Sequence, residues 1–116
     1  MAIRENLLID SDVCVPGSTL TIPDEDATRT ATQFKALGDS TRLRIMQILA
    51  ANGSVCACDL EEPLGLSQST VSHHLRQLTD AGLISREKRG TWAFFSVAHE
   101  GVTDLALGLG NIATSA

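Results

Sequence analysis

The chain of 116 residues has no apolar run approaching the length that spans a bilayer. Its opening decapeptide, Met-Ala-Ile-Arg-Glu-Asn-Leu-Leu-Ile-Asp10, holds only a short apolar patch with an acid on either side, not a secretory signal core. A cytoplasmic protein without membrane contact is therefore expected. Cysteine is scarce. There are three, an odd number, and Cys56 and Cys58 stand one residue apart. That spacing makes a poor disulfide framework and a better thiol ligand set in a reducing compartment. There is no internal repeat, low-complexity tract or cofactor fingerprint, and the length suits one domain rather than two. Basic residues are outnumbered, nine Lys and Arg against fourteen Asp and Glu, for a net charge of −5.

The acidic excess is local. Residues 1–26 hold Arg4 against Glu5, Asp10, Asp12, Asp24, Glu25 and Asp26, and the remaining residues balance to zero. Residues 67–98 are mildly basic through Arg76, Arg86, Lys88 and Arg89. A polyanionic partner is thus compatible with the second half of the chain, with binding that is salt-sensitive.

What is present centres on Leu64-Gly-Leu-Ser-Gln-Ser-Thr-Val-Ser-His-His-Leu-Arg-Gln-Leu-Thr-Asp-Ala-Gly-Leu-Ile84. Val71, Leu75 and Leu78 recur at i, i+4, i+7 and form one buried face of a helix capped by Ser67 and ending near Ala81-Gly82. Gln68, Ser69, Thr70, Ser72, His73 and Arg76 fall on the other side. These groups are mostly short and rich in hydrogen-bonding atoms, unlike the Glu and Lys of an ordinary solvated face. They suit a helix that reads base edges in a DNA major groove. A plain amphipathic helix is the simpler alternative.

Around this helix the pattern is ordered. Residues 1–26, with Pro16-Gly17 and Pro23, read as an arm, and residues 27–116 as the folded domain. Helix is expected over 27–37, with Phe34 and Leu37 inward, and over 40–51, capped by Asp39 or Ser40, with Leu43, Ile45, Met46, Ile48 and Leu49 in the core. Asn52-Gly53 is a turn, Ser54 a candidate cap for a third helix, and Pro63 the reason that helix is short. Leu83 to Val97 reads as two strands about a Lys88-Arg89-Gly90 turn, with Lys88 and Arg89 placed for phosphate. The last helix carries Val102, Leu105, Leu109 and Ile112 at near-helical spacing, with Ala106, Leu107 and Ala113 on other sides. Such an apolar terminal helix calls for a partner, and a homodimer is expected to use those four residues.

Helix, turn, helix and basic hairpin make a mainly α fold with a small β-hairpin, the winged helix-turn-helix order. At Phe34 to Ile45, Leu66 to Leu78 and Ala81-Gly82-Leu83-Ile84 the chain resembles the ArsR/SmtB family of metal-responsive repressors, over roughly residues 27–113. Ser40 departs from the proline usual in that family, and serine also caps helices. The resemblance implies a homodimer, operator double-stranded DNA as partner and an ion as inducer. Arsenical-sensing members carry Cys-x-Cys-Asp-Leu-Cys on this third helix. Here Cys56 and Cys58 match the first two thiols, and Glu61 stands at the third. Cadmium- and lead-sensing members add arm cysteines, and Cys14 lies in the arm.

Three thiolates from Cys14, Cys56 and Cys58 suit As(III) or Sb(III), with Cd(II) or Pb(II) as the alternative. Cys14 reads equally as an incidental arm cysteine, and Cys58 as a small core residue. Free N–H groups at a helix start favour thiolate. Because i and i+2 do not face each other on a regular helix, joint ligation by Cys56 and Cys58 predicts a distorted first turn. The zinc site of other members, with Asp-x-His and a later histidine pair on the last helix, is not matched: only His99-Glu100 appears. His74 is expected to pack inward and His73 outward. A thiol-based redox sensor on the same fold is a second function. A cysteine-nucleophile enzyme is disfavoured, since the implied fold sets no general-base histidine near the thiols.

Overall fold

A computed structural model describes residues 19–24 and 26–114. Most of the expected arm, including Cys14, lies outside the described residues. Helix α1 spans Ala27–Leu37, started by Asp26, whose carboxylate accepts from the Thr28 and Arg29 amides at 3.1 and 3.2 Å. Helix α2 spans Ser40–Asn52. Its cap is Asp39, which accepts from the Arg42 amide at 3.1 Å, so of the two candidates the aspartate does the work. The Arg42 amide bond, the largest effect, holds the Asp39 carboxyl below its ordinary range against the cost of burial, with the charge of Arg42 adding to it.

The next segment differs from expectation. Ser54 caps nothing. Val55–Cys56 form a short strand, β1, and a 3₁₀ turn over Ala57–Leu60 follows, leading into the four-residue helix α3, Glu61–Leu64. Pro63 sits in the first turn of α3, where a missing N–H costs nothing. Gly65, in the left-handed region at φ 66°, ends the helix instead. Helix α4 spans Gln68–Asp80 and is capped by Ser67, as its sequence predicts.

Strands β2 (Ile84–Arg89) and β3 (Trp92–Val97) form the wing, and helix α5 spans His99–Thr114. The turn is Gly90–Thr91, with Gly90 at φ 64°, so Lys88 and Arg89 belong to the strand. The hairpin is joined by β1, which pairs antiparallel with β3 through Val55 to Phe95 and Cys56 to Phe94. The sheet is therefore three-stranded, in the order β1-β3-β2.

The core is apolar and continuous, with Ile45, Leu49, Leu60, Val71, Leu78 and Leu83 at its centre. Phe34 and Leu43 do not enter it: they stay 39% and 46% exposed. On α1 the buried positions are Gln33 and Ala36, and on α2 they are Ile45 and Leu49. Leu43 lies two residues from Ile45, about 200° round the helix. Helix α5 presses its first turn on the turn that follows α4, so closely that a Cβ on Gly101 would stand 1.9 Å from the Gly82 carbonyl oxygen.

Candidate metal and nucleic-acid sites

Helix α4 separates its two faces as its period predicts. Val71, Leu75 and Leu78 are buried, and Gln68, Ser69, Thr70, Ser72, His73 and Arg76 are exposed. Thr70 is partly committed, since its hydroxyl accepts from Ser67 Oγ at 3.0 Å. His74 points inward, as expected, with 14% of its side chain exposed.

Beside α4 runs an open groove of about 440 Å³. Gln68, Ser72 and Arg76 border it from α4, Arg86, Trp92 and Phe95 from the wing, and Cys56, Cys58 and Glu61 from the segment before α4. The thiol pair and one flank of the polar helix thus share a single space. Their proximity has a simple origin: β1 joins the wing sheet, and the 3₁₀ turn carries the chain back towards α4.

That geometry also resolves the i, i+2 problem. Cys56 is not on a helix; it is extended at φ −70°, ψ 137° and buried, while Cys58 follows on the 3₁₀ turn and is exposed. The expected distortion of a regular helical turn is therefore not required to bring the two sulfurs together. Nor is Cys58 turned towards thiolate. A hydrogen bond with the Cys56 thiol pushes it up to about 11, with burial and the negative charge of Asp59 adding to the effect. Asp59 Oδ1 stands 3.9 Å from its sulfur. The donor set is soft and suits a thiophilic ion. Among the described residues no group of three or more His, Cys, Asp or Glu could hold a metal ion, so any third ligand comes from elsewhere.

On the wing, Arg89 is occupied: it pairs with Glu87 at 2.9 Å, donates to Ser54 Oγ at 3.4 Å and lies 4.4 Å from the Phe94 ring centre. Strand alternation puts Glu87 and Arg89 on one face and Arg86 and Lys88 on the face of buried Ile84, towards α4. Arg76, Arg86 and Lys88 have no ion-pair partner among the described residues. Arg86 was counted among the basic residues of the sequence but not assigned to DNA, although the two-residue period from Ile84 carried the signal.

Helix α5 divides its apolar residues. Leu105 is buried in its own domain and Val102 packs against that core. Leu107, Leu109 and Ile112 remain exposed. The set expected at a subunit seam therefore splits: the first two positions serve the fold, and Leu109 and Ile112 stay outside it.

A short helix, a turn and a polar-faced helix beside a basic hairpin define a winged helix-turn-helix DNA-binding protein. Residues 39–86 match the bacterial regulatory protein arsR family. The chain is 45% identical over 73 residues to the arsenical resistance operon repressor of Bacillus subtilis, covering 63% of this chain and 70% of that one. A cadmium resistance transcriptional regulatory protein CadC homolog of Staphylococcus aureus is 39% identical over 72 residues, 62% of this chain and 60% of its own. In fold, the chain is similar to the homodimeric winged helix-turn-helix DNA-binding domain of a possible ArsR-family regulator from Mycobacterium bovis, with a TM-score of 0.62 at 24% identity, covering 84% and 93% of the two chains. The chain belongs to the ArsR family, whose members are transcriptional regulators and not enzymes. No helix among the described residues is long and apolar enough to cross a membrane.

Proposed function

We propose that this chain is a cytoplasmic, homodimeric repressor that leaves its operator when Cys56 and Cys58 bind a thiophilic ion, As(III) or Sb(III) in the first place. The carrying observation is the groove that holds both thiols together with Gln68, Ser72 and Arg76 of the reading helix. An inducer acts only through unequal affinity for the DNA-bound and released conformations. An ion drawing the two sulfurs together pulls on the 3₁₀ turn and on β1. Both border the groove, so the width between α4 and the wing changes with the ion. Gln68, Ser69, Thr70, Ser72, His73 and Arg76 read base edges, with Lys88 on phosphate and Arg89 reaching it only after leaving Glu87. The exposed Leu107, Leu109 and Ile112 of α5, with Phe34 of α1, form the seam between subunits.

Cys14 supplies the third thiolate. With three sulfurs, As(III) is complete, its lone pair filling the fourth direction, whereas Cd(II) or Pb(II) would draw further on water. The cadmium-resistance relative keeps Cd(II) as the second reading, with Pb(II) beside it as another thiophilic ion.

The test is release of operator DNA, followed by fluorescence anisotropy, across As(III), Sb(III), Cd(II), Pb(II), Zn(II) and peroxide. As(III) is expected to weaken binding by about 5–150-fold, a coupling of ~1–3 kcal/mol. Cys56→Ser and Cys58→Ser should each abolish release and leave DNA binding near normal. Arsenic-edge absorption should count three sulfurs in the wild type and two in Cys14→Ser. Release by peroxide alone would assign the thiols to redox sensing, and undiminished As(III) release in Cys56→Ser would remove the site.

A further inference from the structure

The flank of α4 turned away from the groove carries a different set of contacts. Arg42, in the first turn of α2, donates from Nε to the Ala36 carbonyl at 2.6 Å. That carbonyl belongs to the last turn of α1, where no amide within the helix can reach it. The same guanidinium places Nη1 3.3 Å from Nδ1 of His74 on α4. Arginine only donates, so Nδ1 accepts and the ring proton sits on Nε2. Asp39, which caps α2 through the Arg42 amide, stands 4.0 Å from the same Nδ1 and supplies the counter-charge. One side chain therefore ties the end of α1 to the middle of α4.

The rest of the attachment of α4 is apolar. Val71, Leu75 and Leu78 decide which face of α4 is buried, but apolar burial has no direction and leaves the fine setting of roll about the helix axis to other contacts. A hydrogen bond from a charged donor at a fixed angle sets it. Helix α1 in turn packs on α5: Arg29 pairs with Asp104 at 3.4 Å, and Thr30 lies against Gly108.

We propose that Arg42 and His74 are positioning residues for sequence-specific DNA reading, their bond fixing the roll of α4 against α1 and thereby against the reading helix of the second subunit. The inference rests on the operator-binding reading above. Neither side chain need touch DNA. A dimer must present two helices to major grooves one turn apart, and a rolled helix loses base contacts while basic residues still find phosphate. Loss of the bond should thus lower the preference for operator over unrelated DNA without lowering affinity for DNA in general.

The experiment uses the full chain, with a duplex selected from a random pool as operator and a scrambled duplex of the same composition. His74→Leu fills the space with an apolar side chain of similar bulk and removes the acceptor. Arg42→Lys keeps the charge but cannot reach both acceptors. Each is expected to lower the ratio of operator to scrambled affinity about tenfold, the worth of one lost base contact, with scrambled affinity unchanged. His74→Asn, whose Oδ1 replaces Nδ1 as acceptor, should restore most of the ratio. Thermal melting checks each fold, and if His74→Leu does not fold, Arg42→Lys decides. An unchanged ratio in a folded variant, an equal loss on both duplexes, or an asparagine as poor as leucine overturns the assignment. A wild type that prefers no duplex overturns the repressor reading itself, whereas a selective wild type beside an unmoved variant overturns this inference alone.

Discussion

Gly101→Ala puts the close approach of α5 to the turn between α4 and β2 to a direct test. Gly101 lies in a helix, and alanine in a helix interior is ordinarily better than glycine by about 0.5–1 kcal/mol. The sign should reverse here. The new Cβ would stand 1.9 Å from the Gly82 carbonyl oxygen and 3.0 Å from its carbon, both of them backbone atoms without a rotamer to change. An ordinary C···O separation is about 3.3 Å, so the two segments would have to part by about 1.4 Å. Overpacking of this kind typically costs ~1–3 kcal/mol, which exceeds the helix-propensity gain. The net loss, up to about 2.5 kcal/mol, corresponds to a drop in Tm of up to roughly 20 °C for a domain of this size. Thermal unfolding followed by circular dichroism measures it. Gly110→Ala in the same helix is the control, since nothing lies within 4 Å of its Cβ position. That variant should melt higher than the wild type. A Gly101→Ala protein as stable as Gly110→Ala would refute the close approach of α5 to Gly82.

Three other outcomes follow from residues already described. Leu109→Asp should yield monomers by sedimentation and weaken operator binding, because it sets a charge in the proposed seam; Leu105→Asp is the poorer probe, as it would break the subunit's own core. Wild-type monomer at micromolar concentration would contradict the seam. Arg86→Ala and Lys88→Ala should each reduce the salt dependence of DNA binding by about one released counterion, and Arg89→Ala by less, because Glu87 already neutralises it; equal slopes for all three would be evidence against the facing assigned to β2. Asp39→Asn should melt below the wild type at neutral pH. The Asp39 carboxyl is held below its usual 3.8 in the folded chain, so its stabilisation is present above that value and fades as pH falls below it, and the gap between variant and wild type should close in acid. A constant gap down to the lowest pH would count against the charge of the Asp39 carboxylate as its source.

The helices were legible where period and caps agreed. Val71, Leu75 and Leu78 fix the buried face of α4 whatever surrounds it, and Ser67 can serve only the helix after it. Strand β1 was not legible. Two residues carry no period, and Val55 and Cys56 are extended only because β3, about forty residues later, offers a free edge. Ser54, a good cap by residue type, is left in the preceding turn for that reason. Phe34 and Leu43 misled because apolar type was taken for inward direction. Their neighbours Ala36 and Ile45 own the inner face. The adjacency of the thiols to the reading helix depends on this same non-local pairing, so spacing alone could name Cys56 and Cys58 but not the groove they border. The fate of Arg89 was within reach, since Glu87 lies two residues away on the same strand face.

The rim of that groove also gives the protein an optical property. Trp92 borders it and is 57% exposed, and the chain has one tryptophan and no tyrosine. Ultraviolet emission excited in the indole band therefore comes from a single site, on the same groove as Cys56 and Cys58. A soft ion bound to those sulfurs, or a change in the spacing of the wing and α4, alters the surroundings of that indole and of no other. The unlabelled protein thus carries its own fluorophore at the place where ion and helix meet, and titrations on it can follow ion binding with no DNA in the cuvette.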